Sequence, residues 1–461
     1  MCLQLLNMLQ GMSKVMERDR FLAAVREAGI VGEGGAGFPA HVKYAAQAEI
    51  IIANGCECEP LLHTDQHILN VQAGAVGRAM CALARVTGAS RKVLGIKAKH
   101  RGLVERLRPV MQELGIELAL LADFYPAGDE QVLVSEITGK SVPPLGLPLH
   151  VGVIVANVGT LAAVHAALEG APVTDKFLTV TGEAAKPGVI KAPIGTSLSE
   201  CLEACGGALP KNPVFILGGP MMGRLVEGME RLAVERVTKT TGGLIVLPAG
   251  HPLHVNAALP VSVLRRRAAS ACIQCRACTD LCPRRLIGHP FEPHRIMRAF
   301  AGGAERSPSG AQVALCSECG VCEHYACPMG MSPRRVNQHV KAALREASLG
   351  YEGSREIVPE AARWREYRRI PVARLAARLG LAGYLHRETP FAGEHVPESV
   401  EIPLRQHIGA PCIPLVKPGD RVERGDCIGD IPEGALGARL HASVSGRVEE
   451  TGERVRIRRE A

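Results

Sequence analysis

Eight cysteines in two ladders constrain this chain more than any other feature. The first ladder places Cys272, Cys275, Cys278 and Cys282 ahead of Pro283; the second places Cys316, Cys319, Cys322 and Cys327 ahead of Pro328. Three thiolates spaced two residues apart can wrap one corner of a cubane, and a fourth, followed by proline, can reach across to a second cluster. Two 4Fe-4S clusters are therefore expected. Disulfides fit poorly, because no export signal marks the N-terminus and cytosolic thiols stay reduced. Structural zinc usually draws on paired Cys-x-x-Cys units rather than on triplets closed by Cys-Pro. In the second ladder four residues separate Cys322 from Cys327, where the first ladder has three, which puts His324 and Tyr325 near its cluster. Clusters of this type pass electrons one at a time.

With 461 residues there is room for about three or four domains. The net charge of +8 is spread through short runs such as Arg265–Arg267 and Arg456–Arg459 without interleaved aromatics. That pattern reads as a solvated basic surface and gives no sign of nucleic-acid binding. No membrane span is expected. The most apolar stretch, Val151 to Leu168, is broken by Asn157, Gly159, Thr160 and His165 and falls short of roughly 20 apolar residues. Residues 1–18 form an N-terminal extension, either a docking helix or an over-called start, since Met12 and Met16 offer later ones. The expected localisation is cytoplasmic.

The pattern along the chain predicts a multidomain α/β protein. Over residues 19–170, short apolar runs at Ile50–Ala53, Val93–Ile96 and Val153–Ala156 alternate with helical segments, the mark of a parallel sheet buried on both faces. Residues 171–250 read as a small mixed sheet of β-grasp (SLBB) type. The helical two-cluster domain spans 258–344, and a helical linker spans 345–398. Residues 399–461 read as a flattened barrel-sandwich of lipoyl-carrier type. Its carrier hairpin, Arg439 to Gly446, holds no lysine, so a structural or docking module is expected. Cys201 and Cys205 read as core residues, His63 and His67 as a pair without a third metal ligand, and Gly218–Gly223 as a tight turn with core methionines.

A second informative segment runs from Gly32 to Lys43, with four glycines in six residues ahead of a helical stretch. Such a loop leaves backbone N–H groups free to cradle a phosphate. Three further motifs follow predicted strands, on the ligand-binding edge of the sheet: Asn54 to Pro60 with Asp65, Tyr125 to Glu130, and Asn157 to Thr160. In this order the motifs resemble the flavin- and NADH-binding subunit of respiratory complex I. They are more similar to the C subunit of Rnf complexes and to the cobalamin reductases of propanediol-utilisation microcompartments.

The resemblance implies FMN and NADH as cofactors beside the two clusters. It implies that the loop from Gly32 to Phe38 holds FMN, with Gly34, Gly35, Gly37 and Lys43 at the phosphate. Asn54 and Asn157 would contact the flavin, with Thr160 nearby. Glu57 and Glu59 would lie near the nicotinamide, Tyr125 against the ring, and Glu130 as an acidic neighbour. One departure stands out: the family commonly has Glu where this chain has Gly159. The barrel follows the clusters here, whereas the Rnf protein carries it before the flavin domain. That order is similar to the microcompartment reductases and implies a corrinoid, or another one-electron acceptor, as partner. An adenosyltransferase and microcompartment shell proteins are the further partners implied, and a bacterial microcompartment the place. The alternatives are a peripheral Rnf-type NADH:ferredoxin subunit and a non-catalytic wire in the shell.

Overall fold

The computed structural model describes residues 16–35, 37–354 and 359–460, so most of the N-terminal extension lies outside the described residues. Four parallel strands form the first sheet: β1 (Ile50–Gly55), β2 (Arg91–Lys97), β3 (Glu117–Leu121) and β4 (Val153–Asn157), in the order β3-β2-β1-β4. The run Ile50–Ala53 is buried throughout, as a central strand covered on both faces requires. Helices α1 (Thr64–Thr87) and α3 (Val158–Leu168) cover one face, and α2 (Glu130–Thr138) packs on the other. The chain leaves β1 towards β2 and returns on the far side as β4. The carboxyl ends of β1 and β4 therefore flank a crevice of the kind where open α/β sheets bind ligands. Asn54 and Asn157 are register partners at that crevice.

The apolar stretch from Val151 to Leu168 becomes β4 and α3. No helix among the described residues is long and apolar enough to cross a membrane.

A second, six-stranded sheet holds β5 (Asp175–Gly182), β6 (Gly188–Pro193), β7 (Pro213–Leu217), β8 (Arg224–Glu227) and β9 (Gly243–Pro248). Its edge strand, β10 (Phe391–Glu394), comes from the segment expected to be a helical linker. That segment is helical at Val372–Arg378 and in short turns, and it also pairs Ile370–Pro371 with Phe124–Tyr125. Pro371 and Pro390 remove donors that a continuous helix would need. The linker is thus a strap over two domains.

Helices Val261–Ala271, Pro293–Ala301 and Pro333–Glu346 support the cysteine ladders around a core with Phe291, Ile296, Phe300 and Val340. Two small sheets sandwich the C-terminal core of Val400, Ile402, Ile428, Leu440 and Ile457. The carrier hairpin of that module faces inward: Ser443 donates to the Ile194 carbonyl at 2.6 Å, and both Ala442 and Val444 are buried.

Candidate flavin and iron-sulfur sites

The glycine-rich loop closes on itself. Gly32 N–H donates to Phe38 O at 2.8 Å, and Gly37 N–H donates to Gly32 O at 3.2 Å. Glu33 N–H donates to Thr160 Oγ1 at 2.9 Å. Neither the Gly34 nor the Gly35 N–H has a partner among the described residues, and both glycines are exposed. Gly37 serves the packing instead. At φ +65° its Cβ would lie 3.2 Å from Thr240 and 3.3 Å from His407, so it lets the loop pass close to the barrel.

Asn54 ties the end of β1 to the turn before α2, donating from Nδ2 to Gly128 O at 2.9 Å and accepting from Cys56 N–H. Asn157 caps α3 through Gly159 N–H and donates to both Asp65 oxygens at 3.1 and 3.2 Å. The Glu missing at position 159 has a replacement. A Cβ on Gly159 would sit 2.5 Å from Glu33 Oε2, so the Glu33 carboxylate already fills that space, held by Lys176. Glu33 and Asp65 lie in the motifs, but the sequence gives no sign of Lys176 or of the pairings with Lys176 and Asn157. Only the juxtaposition of loop, α1 and β5 reveals them.

Lys43 and Glu130 pair at 2.6 Å, both partly exposed. Glu57 and Glu59 lie together, with Glu59 N–H donating to Glu57 Oε1. Glu59 Oε2 accepts from Met221 N–H at 2.8 Å, and Glu59 Oε1 is buried without a partner. Gly219 is needed for this approach, because a Cβ there would stand 2.2 Å from the Glu59 carboxyl. The turn Gly218–Gly223 is thus a tight turn with one core methionine, Met221, and one exposed, Met222. Tyr125, expected beside the ring, is 1% exposed. Its hydroxyl donates to the Cys319 carbonyl at 2.6 Å, and its phenol shares an apolar core with Leu61 and Met221.

Burial pushes Glu57 up to about 8, with Asp65 and Glu59 adding to it; it pushes Glu59 up to about 7 and Asp65 up to about 6. From about pH 4.5 to 8 the folded protein keeps protons that the unfolded chain has released. Stability from these groups is full below that window and falls as pH rises through it. Glu57→Gln should therefore match wild type near pH 4.5 and exceed it by about 1–3 kcal/mol at pH 8.5. Denaturant unfolding at the two pH values checks this, and an equal difference at both would count against it.

The eight ladder cysteines line two cavities. Cys272, Cys275, Cys278 and Cys327 surround the outer one. Cys282, Cys316, Cys319 and Cys322 surround the inner one. Each triplet is thus joined by the Cys-Pro cysteine of the other ladder. Among the described residues no three such donors converge closely enough to hold a single metal ion. Four thiols drawn from both ladders, three from a triplet and one followed by proline, are the donor set of a ferredoxin cubane.

The same backbone device turns both ladders. Gln274 and Arg276 in the first, and Glu318 and Gly320 in the second, have φ between 53° and 81°. The extra residue of the second ladder is absorbed in a single π-turn, Cys322–Ala326. Donors face the sulfurs: Gln274 Nε2 and Asn337 Nδ2 approach Cys272 and Cys316 at 3.2 and 3.4 Å. The N–H groups of Glu318 and Met331 approach Cys316 and Cys327 at 3.3 Å. Such bonds stabilise the more negative, reduced state of a cluster. Burial pushes the Cys278 and Cys319 thiols up to about 12, so the charge of bound iron has to keep them as thiolates.

Four family models match in chain order. They are the Nuo51 FMN-binding domain over 25–166, the SLBB domain over 177–225, the 4Fe-4S dicluster domain over 271–332 and the RnfC barrel sandwich hybrid domain over 384–460. Cobalamin reductase PduS of Salmonella typhimurium is 45% identical over 441 residues, 95% of this chain and 96% of the relative. The chain belongs to the cobalamin reductase PduS family. The Citrobacter freundii PduS is 44% identical over 93% of this chain and 94% of its own. The C subunit of the Na(+)-translocating ferredoxin:NAD(+) oxidoreductase of Acetobacterium woodii is 33% identical, over 59% of this chain and 60% of its own. FMN and 4Fe-4S clusters are the groups that both the matches and the donor sets fit. Gly34 and Gly35 leave two exposed backbone N–H groups without a partner among the described residues, and a bound flavin would supply conversion between paired and single electrons.

Proposed function

We propose that this chain is an NADH-dependent reductase that passes electrons through FMN and two 4Fe-4S clusters to cobalamin. The observation that carries the reading is the exchange of Cys282 and Cys327 between the two thiol sets, beside an FMN-binding domain. In the proposed roles Cys272, Cys275, Cys278 and Cys327 ligate one cluster, and Cys316, Cys319, Cys322 and Cys282 the other. Gly34, Gly35 and Lys43 receive the FMN phosphate, with Lys43 released from Glu130. Asn54 and Asn157 position the ring between the ends of β1 and β4. Glu57 and Glu59 line the nicotinamide side, where burial raises both carboxyls above their ordinary range. The corrinoid is supported by the names of the PduS relatives. A microcompartment location, with an adenosyltransferase and shell proteins as partners, belongs to the same reading.

The identity to the Acetobacterium woodii ferredoxin:NAD(+) oxidoreductase component supports ferredoxin as a second acceptor class. Anaerobic purification, flavin and iron analysis, and then NADH reduction with cob(III)alamin and ferredoxin offered in turn decide between them. Bleaching by NADH followed by cobalamin reduction is expected. A flavin that NADH does not bleach would overturn the reading.

A further inference from the structure

We infer that Tyr125 is a positioning residue for the inner cluster, so that the site of Cys282, Cys316, Cys319 and Cys322 is the first acceptor from the flavin and the outer site is the exit. This rests on the proposed flavin and cluster roles. One short run, Phe124 to Gln131, touches both ends of that step. At one end the Gly128 carbonyl accepts from Asn54 at the mouth of the flavin crevice. A Cβ on Gly128 would come within 3.1 Å of Cys56 O, so the run lies directly on the strand end.

At its other end the run holds the inner site from both ladders. Tyr125 donates to the carbonyl of Cys319 at 2.6 Å. Arg284, two residues beyond Cys282, reaches Asp129 Oδ2 at 3.0 Å and Gln131 Oε1 at 2.5 Å. Pairing of Phe124–Tyr125 with Ile370–Pro371 keeps the tyrosine backbone in place. The outer site has the opposite setting. Cys275 is exposed and Ile273 beside it is 62% exposed, whereas Cys282, Cys319 and Cys322 of the inner site are buried.

The hydroxyl proton also offsets the negative end of the Cys319 peptide dipole, where reduction adds charge. The electron count closes. NADH gives one hydride, hence two electrons, and becomes NAD+, while one solvent proton completes flavin reduction. The two electrons would then leave singly, each crossing the inner site before the outer, and reduce two one-electron acceptors, while the reoxidised flavin would return two protons to solvent.

The test uses the full chain with both clusters, titrated with dithionite and followed by electron paramagnetic resonance. Cys319→Ser and Cys275→Ser assign the two signals. Tyr125→Phe should move the inner midpoint to a more negative value and leave the outer one in place. Stopped-flow NADH reduction of the flavin should keep its rate, while cluster reduction slows several-fold. Arg284→Gln, acting from the other ladder, should move the same signal and decides the matter if Tyr125→Phe does not fold. A shift in the outer signal alone, or in neither, overturns the inference. Failure of NADH to bleach the wild-type flavin would sink the proposed function, whereas the dithionite titration would still decide the role of Tyr125.

Discussion

Replacing Cys327 by alanine should empty the outer cluster site, built by Cys272, Cys275 and Cys278, and leave the site of its own ladder filled. Sequence proximity alone would assign Cys327 to Cys316, Cys319 and Cys322. The structure places it across the domain, with Cys272 and Pro333 on the same cavity wall. Losing one of four thiolates opens a corner of the cubane to solvent and oxidation. Iron should fall from about eight to about four atoms per chain, and the resonance signal that disappears should be the one Cys275→Ser also removes. Cys282→Ala should do the reverse. It should also cut the outer cluster off from the flavin, so that NADH bleaches the flavin and little else. Loss of the signal that depends on Cys319 in the Cys327 variant would show that the ladders do not exchange ligands.

The exchange was legible in the sequence because Cys-Pro spacing is a local pattern with a chemical reason behind it. The central strands were legible for a similar reason: Ile50–Ala53 has no polar residue to place on an open face. The three motifs that follow predicted strands lie where the alternation of strand and helix put them, at the carboxyl ends of the parallel sheet. The strap over residues 345–398 was not legible, because strand pairing of Phe391–Glu394 with β6 is set by docking and not by the local propensity of an arginine- and alanine-rich run.

The same limit hid the long-range partners. Tyr125 and Cys319 are 194 residues apart, and Lys176 reaches Glu33 over 143. Nothing in the motif around Tyr125 distinguishes a phenol stacked on a ring from one bonded to a carbonyl of another domain. For Gly159 the motif showed a lost carboxylate, and only the folded loop showed that Glu33 stands in its place.

Lys239 carries the second large prediction. Fully buried in the chain's interior, it donates to the carbonyls of Gly29 and Arg439, and its backbone N–H donates to Gln406 Oε1 at 3.0 Å. Flavin domain, β-grasp sheet and barrel therefore meet on one ammonium group. Gly29 makes the meeting possible: at φ +67° its Cβ would stand 2.2 Å from the Arg439 carbonyl oxygen. Burial pushes Lys239 down to about 8, so near neutral pH it is mostly charged and its two carbonyl bonds are charge-assisted. Lys239→Ala removes both bonds and opens a cavity, for an expected loss of about 3–5 kcal/mol. Lys239→Met keeps the volume and should still lose about 2 kcal/mol or more, because two buried carbonyls lose their donor. Denaturant unfolding gives the totals, and limited proteolysis should show the barrel released first. A Met variant as stable as wild type would mean that the carbonyls find other partners, and that the joint is held by apolar packing alone.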